Sequence, residues 1–250
     1  MTDRAPGPAV PDPSTIAAAA PTTWQTATVE AIRPETADAT TLRLRLSEPR
    51  THLAGQHYVV RLTADDGYTA SRSYSVSSAP LDPGSIDLSV ERFADGEVSG
   101  FLHEVVEVGD ELEVRGPIGG WFVWPGDTPA LLVGGGSGVA PLMSMLRLAR
   151  HLGRSDLVRL LVSVRTPGDV WFADELPGPE VRVAYTREAP AGDARPVGRL
   201  TAGDLPTTLP DEATAYVCGS TPFTNHVTDL LQAAGMAASS IRVERFGPTG

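Results

Sequence analysis

Residues 24–124 are organised in short stretches in which apolar and polar side chains alternate, separated by turn signals such as Asp82-Pro83-Gly84. Alternation with a period of two is typical of a strand with one buried face. Because these strands are evenly spaced and no long helical pattern separates them, they predict an antiparallel barrel. The predicted strands cover 24–32, 41–46, 57–62, 71–77, 86–92 and 111–115, and one short helix is predicted to start after Ser99 and to run through Val105.

The pattern changes after residues 125–129, a Pro-Gly-Asp-Thr-Pro stretch that predicts an inter-domain linker. From residue 130 onward, short apolar runs alternate with stretches at helical spacing, which predicts a doubly wound parallel sheet. The run at 130–133 is typical of a buried parallel strand, and the apolar residues of 142–148 repeat at helical spacing. The remaining predicted elements are strands over 157–164, 181–186, 214–218 and 241–246 and a helix over 223–234.

These patterns predict two domains, a β-barrel followed by an α/β domain, and 250 residues are enough for two modest cores. The barrel domain is predicted over 23–126 and the α/β domain over 127–250. Residues 1–22 are rich in proline and alanine and offer little to bury, so we expect a disordered tail there.

A glycine-rich loop, GGGSG at 134–138, lies between the first buried strand and the first helix of the α/β domain. Glycine lets the backbone turn tightly and approach a ligand, and Pro141 suits the first turn of a helix. The free N–H groups and the dipole of the helix start then converge on one point, which predicts phosphate binding. The spacing Gly136-Ser137-Gly138-x-x-Pro141 is related to the dinucleotide fingerprint but ends in proline. A purely structural glycine turn is the alternative.

Two further stretches carry candidate chemistry in the barrel domain. In Arg72-Ser73-Tyr74-Ser75, the guanidinium suits a phosphate, the tyrosine offers a flat ring and a hydroxyl, and Ser75 can donate a hydrogen bond to a ligand. Ser99 is predicted to cap the short helix and so to mark a second anion site. The alternatives are an edge strand of mixed polar residues and an ordinary helix cap.

The charge of the chain narrows the classes of partner. A net charge of −11 argues against nucleic acid and against anionic membranes, and every basic residue is an arginine. No apolar run is long enough to cross a bilayer, and no secretory signal pattern precedes the barrel, so a cytoplasmic location is expected.

The single cysteine, Cys218, excludes an internal disulfide and an iron–sulfur cluster of the usual kind within this chain. The five histidines show no metal-ligand spacing, and no metal site is predicted.

The order of these motifs resembles that of the ferredoxin–NADP reductase family, flavin reductases in which a barrel precedes a nucleotide domain. RSYS is similar to the family's Arg-x-Tyr-Ser/Thr flavin signature, and DLSVERF and GEVSGFLH are similar to its second and third flavin segments. VGGGSGVAP, YVCGSTPF and the closing VERF are similar to its pyridine-nucleotide loop, its Cys-Gly segment and its last strand. The joint match covers about residues 24–246 and is more specific than any single motif.

The resemblance implies a flavin-binding barrel and an NAD(P)-binding α/β domain. Arg72 would pair with the flavin pyrophosphate, Tyr74 would pack against the ring, and Ser75 would lie near flavin N5, the atom that accepts hydride. An arginine and an anion-binding helix start together fit two phosphates better than one, which favours FAD over FMN. The other implied cofactor contacts are Ser73 within the signature, Val90 and Glu91 beside the ribityl–phosphate region, and Val98 and Ser99 at the phosphates.

On the nucleotide side, the resemblance implies that Cys218 and Glu244 flank the nicotinamide and that Phe246 shields the flavin face on which nicotinamide stacks. With Ser75, these three residues form the implied catalytic set. Four residues follow Phe246, whereas in plant-type members the aromatic residue ends the chain, so its gating role stays open. For Cys218 the alternative is a small core residue.

The choice of nucleotide depends on two predicted strand ends. One ends in Ser163-Val164-Arg165, and the next ends in Thr186-Arg187, which is similar to the Ser-Arg pair that holds the 2′-phosphate in NADP-using relatives. Arginine and hydroxyl groups favour a phosphate, so NADPH is favoured and NADH remains possible. The alternative is that both arginines are solvated strand-end charges.

The function that follows is an FAD-dependent reductase that transfers hydride from NAD(P)H to flavin and then single electrons to a separate ferredoxin or oxygenase component. The alternatives are a reductase of free flavin, quinone or ferric complexes, and a non-catalytic nucleotide-binding subunit of a redox complex. A monomer is expected. Three aromatic residues just before the linker are predicted to pack the domain interface, with partner docking as the alternative: Trp121, Phe122 and Trp124.

Overall fold

The computed structural model describes residues 23–206, 210 and 212–247. The predicted tail at 1–22 lies outside these residues. In the described part of the chain, no helix has both the length and the apolar character needed to cross a membrane.

The first half of the chain forms an antiparallel barrel, as predicted. Its elements are β1 (Trp24–Thr36), β2 (Ala39–Leu46), β3 (His57–Thr63), β4 (Thr69–Ser75), β5 (Ser85–Glu91), helix α1 (Glu97–Glu104) and β6 (Glu111–Ile118). The six strands have the spatial order β4-β3-β6-β1-β2-β5. The two edge strands meet because Val76, directly after β4, pairs with Leu88 of β5. Alternate residues of the strands, among them Leu42 and Val60, fill the barrel interior.

The second half forms a parallel sheet with helices on both faces, which confirms the predicted class. Its elements are β7 (Ala130–Gly135), α2 (Val139–Leu152), β8 (Val158–Val164), β9 (Val181–Tyr185), β10 (Thr214–Gly219), α3 (Thr221–Ala233) and β11 (Ile241–Arg245). The strand order is β11-β10-β7-β8-β9, and every pair is parallel. The chain therefore reverses its direction of travel across the sheet at β7, and the crevice outside the ends of β7 and β10 is where such sheets bind ligands.

Alternation along β7 explains the two helix layers. Leu132 belongs to the core shared with α2, whereas Leu131 and Val133 belong to the core shared with α3. Helix α2 is buried on most sides, and Pro141 is its third residue, as its predicted place in the first turn requires.

The aromatic stretch before the linker packs the domain interface at two of its three positions. Phe122 and Trp124 are buried, and Phe122 meets Tyr216 of β10 edge to face with ring centroids 5.4 Å apart. The Tyr216 hydroxyl donates to the Val123 carbonyl at 2.8 Å. Trp121 is 62% exposed, but the Arg242 guanidinium of β11 lies 5.5 Å from its ring centre and donates to its carbonyl at 3.0 Å. This residue therefore lies at the exposed edge of the interface.

A buried histidine lies where the barrel meets helix α2. His52 is fully buried, its Nε2 is 3.1 Å from the Ser78 carbonyl, and its Nδ1 has no partner among the described residues. Burial lowers the pKa of this imidazole to about 4. The ring is therefore neutral in the folded protein at pH 7, with Nε2–H as the donor to Ser78.

This histidine should make the fold acid-labile. Because the imidazole titrates near 6.5 when unfolded and near 4 when folded, its contribution is intact above pH 6.5 and is lost as the pH falls toward 4. We expect a loss of about 3 kcal/mol in the free energy of unfolding across this range. Denaturant unfolding of His52→Gln and wild type at several pH values measures it, with the surface variant His151→Gln as control. Parallel pH profiles for wild type and His52→Gln would contradict this role.

Candidate functional site

Strand β4 brings the residues of the predicted flavin signature to one edge of the barrel. Arg72 and Ser73 are exposed, and the Arg72 guanidinium donates to the Ser71 carbonyl at 2.8 Å but forms no salt bridge with a described residue. Tyr74 is half-buried, and burial raises the pKa of its phenol. Ser75 is 4% exposed. The strand therefore ends with a cation available to an anion, an aromatic ring and a buried hydroxyl.

The start of α1 is the second part of this region, and here the prediction for Ser99 is wrong. Gly96 precedes the helix and Ser99 is its third residue, so Ser99 is not the cap. Its hydroxyl donates to the Gly96 carbonyl at 3.3 Å and accepts the Phe93 N–H at 3.2 Å, which holds the turn before the helix. A Cβ on Gly96 would lie 2.2 Å from Ser99 Oγ. The N–H groups of the first helical turn remain available to an anion.

The neighbouring valines contact the barrel interior. The side chains of Val90 and Val98 are buried in the barrel core, so only their backbone groups can face a cofactor. Glu91, the last residue of β5, is half-buried.

Two aromatic residues beside this region were missed by the sequence analysis. Tyr68 is 56% exposed and its hydroxyl donates to Glu97 at 3.1 Å, at the start of α1. Phe93 is 46% exposed and lies next to Gly96. Exposed aromatic rings that flank an anion site are suited to stacking on a planar base. The sequence signal was an aromatic residue in each of two turn regions, Tyr68 just before β4 and Phe93 between β5 and α1.

The glycine loop of the α/β domain lies against the end of β10. Residues 136–138 form one tight turn, with φ of +55° at Gly136, and α2 starts directly after it. A Cβ on Gly138 would lie 2.2 Å from the carbonyl oxygen of Cys218, and one on Gly135 would lie 2.8 Å from the Phe223 ring. The loop therefore needs glycine to pack this closely, and Ser137 is half-buried within it.

The ends of β10 and β11 place two of the predicted catalytic residues side by side. Cys218 pairs in register with Glu244. Cys218 is fully buried, and burial together with the Glu244 carboxyl raises the pKa of its thiol. Burial also raises the pKa of Glu244 to about 7, and its Oε2 has no hydrogen-bond partner within the described ranges. Phe246 is half-buried against the core of this domain, and its N–H donates to the Gly219 carbonyl at 2.9 Å.

The two predicted nucleotide-selecting strand ends are adjacent. The Arg187 N–H donates to the Arg165 carbonyl at 2.9 Å, both side chains are exposed, and neither forms a salt bridge with a described residue. The Thr186 hydroxyl donates to the Val164 carbonyl at 3.1 Å, so in this conformation it can accept a hydrogen bond but cannot donate one to a phosphate. Ser163 is buried at the end of β8. The two guanidiniums are thus the available donors.

A cavity of about 380 Å³ lies between the barrel and the α/β domain, and its lining includes Ser78, Asp87 and Glu175. Its three arginines are all paired with carboxylates: Arg33 with Glu35, Arg43 with Asp87, and Arg147 with Glu175. It offers no uncompensated charge to a nucleotide, and it is separate from the residues described above.

The fold is that of an oxidoreductase FAD-binding domain followed by an oxidoreductase NAD-binding domain. Residues 26–123 match the oxidoreductase FAD-binding domain family, and residues 132–229 match the oxidoreductase NAD-binding domain family. The chain belongs to the ferredoxin–NADP reductase family.

Relatives and solved structures agree with this assignment. The glycine betaine monooxygenase reductase subunit of Chromohalobacter salexigens is 36% identical over 78% of this chain and 56% of its own length. The reductase component of the naphthalene 1,2-dioxygenase/salicylate 5-hydroxylase systems of Ralstonia sp. is 30% identical over 89% of this chain and 69% of its own. The FAD/NAD-binding domain of Vibrio cholerae nitric oxide dioxygenase superposes with a TM-score of 0.79, at 27% identity over 90% of this chain and 99% of that one. This chain spans 56% to 69% of the length of the relatives named here.

Proposed function

We propose that this chain is the reductase of an oxygenase system, taking hydride from NADPH onto FAD and delivering single electrons to a separate ferredoxin or oxygenase component. The observation that supports it best is a hydrogen bond that joins the barrel, close to Ser75, to the helix that follows the glycine loop. Ser77, two residues after Ser75, accepts a hydrogen bond at 2.7 Å from helix α2, which starts at the glycine loop. The relatives named above are reductases of oxygenase systems.

The residues present fit FAD. Arg72 has no carboxylate partner among the described residues, the first turn of α1 has free N–H groups, and Tyr68 and Phe93 expose rings beside them. A dinucleotide supplies both the phosphates and the planar base for these groups. The unpartnered Glu244 Oε2 marks a polar group that a nicotinamide carboxamide would satisfy.

The residues of this chain then have separate tasks. A bound FAD would supply the acceptor for hydride and the donor of single electrons. Arg72 and the α1 start would hold its phosphates, Tyr74 would pack against it, and Ser75 would donate a hydrogen bond to it. The glycine loop and the α2 start hold the phosphates of the second nucleotide, while Glu244 orients its carboxamide. Positioning and exclusion of water are the protein's share of catalysis.

An anaerobic titration tests the proposed function. The purified protein should carry a yellow chromophore that bleaches on addition of NADPH and recovers on addition of an oxidised ferredoxin. A protein whose flavin stays oxidised with NADPH and with NADH would be a non-catalytic subunit. Rapid turnover with free flavin, quinone or ferric complexes but none with ferredoxins would instead identify one of those reductases.

We place the protein in the cytoplasm, where reduced pyridine nucleotides are supplied.

Arg165 and Arg187 support the preference for NADPH because their backbones are hydrogen-bonded to each other and both side chains are exposed, without a salt bridge to a described residue, so both guanidiniums are available to a 2′-phosphate. We expect Arg187→Ala to raise KM for NADPH by about tenfold to a hundredfold, the value of one charge-assisted contact, and to leave KM for NADH nearly unchanged. Steady-state kinetics with both nucleotides measures this. Arg182→Ala, an exposed arginine on the same strand, is the matched control. Equal losses with both nucleotides would make Arg187 a structural residue.

A further inference from the structure

The segment that follows strand β4, residues 77–78, is hydrogen-bonded directly to helix α2. Ser144 Oγ donates to the Ser78 carbonyl at 2.6 Å, and Arg147 Nη1 donates to the Ser77 carbonyl at 2.7 Å. Ser77 and Ser144 are fully buried. Both donors come from one face of α2, since they are three residues apart in the helix.

Ser77 and Ser78 are also hydrogen-bonded to strand β5 of the barrel. The Ser77 N–H donates to the Asp87 carbonyl at 2.9 Å, and its hydroxyl is 2.9 Å from that of Ser89. The Asp87 N–H donates to Ser78 Oγ at 3.0 Å. Residues 77–78 are therefore a fixed part of the barrel, and a hydrogen bond to them locates the helix relative to the barrel.

The Arg147 guanidinium is itself fixed. It makes a bidentate pair with Glu175, with Nε at 2.9 Å and Nη2 at 2.5 Å, and lies 5.0 Å from the centre of the Phe172 ring. Its side chain is 16% exposed. A guanidinium held by both a carboxylate and an aromatic ring loses little further freedom when it binds the Ser77 carbonyl, so this bond is a stiff connection.

We propose that Ser144 and Arg147 are positioning residues that set the distance between the glycine loop and Ser75. Ser144 is six residues from Gly138, about 9 Å along the helix, and Ser77 is two residues after Ser75, at most about 7 Å along the chain. This path is short and buried, and it leaves regular structure only after Ser75, where Val76 still pairs with Leu88. The proposal rests on the proposed function, since the distance matters where a nucleotide at the loop must meet a flavin at Ser75.

Two other contacts between the domains do not involve the segment that leads to Ser75. The Phe172 N–H donates to Glu35 at 3.0 Å, which joins β1 to the segment between β8 and β9. Arg154, at the end of α2, donates to the Gly126 carbonyl of the linker at 3.0 Å. Neither contact touches β4, so removing either should cost stability without moving the loop relative to Ser75.

The test compares Ser144→Ala and Arg147→Met with Arg154→Met, which removes a similar bond from an arginine to a backbone carbonyl. Ser144→Ala leaves the Ser78 carbonyl with its His52 donor, so this variant should fold. Three quantities are measured: flavin content, the anaerobic rate constant of hydride transfer, and the long-wavelength absorbance of the complex between bound nucleotide and flavin. The last reports their stacking independently of turnover.

We expect Ser144→Ala and Arg147→Met to keep their flavin and to bind NADP+ within about twofold of wild type, while hydride transfer slows by about tenfold and the long-wavelength absorbance weakens. Arg154→Met should match wild type in its hydride-transfer rate and its absorbance. A lowered melting temperature in Ser144→Ala and Arg147→Met, with wild-type rate and absorbance, would overturn the proposal and leave the function standing. A wild-type protein that neither nucleotide reduces would overturn both.

Discussion

Arg72→Ala should give a folded protein that purifies with little flavin. The Arg72 guanidinium has no carboxylate partner among the described residues, so its removal leaves no buried charge unpaired and should hardly alter stability. A charge-assisted bond to a phosphate is worth about tenfold to a hundredfold in affinity, which is enough to lose a dissociable cofactor during purification. The ratio of flavin to protein absorbance and the melting temperature of the apoprotein measure the two parts of this expectation.

The control is Arg45→Ala, an arginine of the same barrel whose partner is the surface carboxylate Glu30. It should retain full flavin. If Arg72→Ala also purifies with full flavin, the phosphate site does not lie at β4 and α1, and the cofactor assignment of the barrel residues fails.

Glu244→Gln should slow hydride transfer by about tenfold to a hundredfold while flavin content stays unchanged, because its proposed task is to orient the nicotinamide. The pKa of about 7 adds a pH signature. The carboxyl is neutral below pH 7 and anionic above it, and the anion attracts the positively charged oxidised nicotinamide. Affinity for NADP+ should therefore rise more between pH 6 and pH 8 in wild type than in Glu244→Gln, where only the 2′-phosphate, with a pKa of about 6, still titrates in this range.

The same substitution should stabilise the protein at high pH. Burial raises the pKa of Glu244 above the usual 4.5, so the folded state loses stability as the pH rises from 4.5 through 7. Glu244→Gln should remove this loss, at most about 3 kcal/mol at pH 8. Glu188→Gln, an exposed carboxylate of the same domain, is the control. A variant with unchanged pH profiles of both stability and NADP+ affinity would place Glu244 outside the nucleotide site.

Local patterns carried much of what was predicted correctly. The period of two in the first half and the strand–glycine–helix order at 130–152 depend on residues close in sequence, and both were recognised. The predicted start of α1 after Ser99 is wrong, because the helix begins at Glu97. Ser99 is the usual type of cap, but Gly96 takes the position, and the Ser99 hydroxyl bonds back to it.

The aromatic residues before the linker show the limit of composition as a guide. Trp121, Phe122 and Trp124 look alike in the sequence, yet Trp121 is exposed and the other two are buried. The burial of Phe122 involves Tyr216, which packs against it from more than ninety residues away along the chain.

The sequence by itself determined the two architectures and the glycine loop, because side-chain periodicity and the conformational freedom of glycine act within a few residues. Only the tertiary structure decided how the barrel and the α/β domain are joined. The bonds from Ser144 and Arg147 to residues 77–78 join residues 66 and 70 positions apart, and the burial that raises the pKa of Glu244 comes from neighbours brought in by the sheet. Such contacts arise from the packing of complete elements, and no local pattern encodes them.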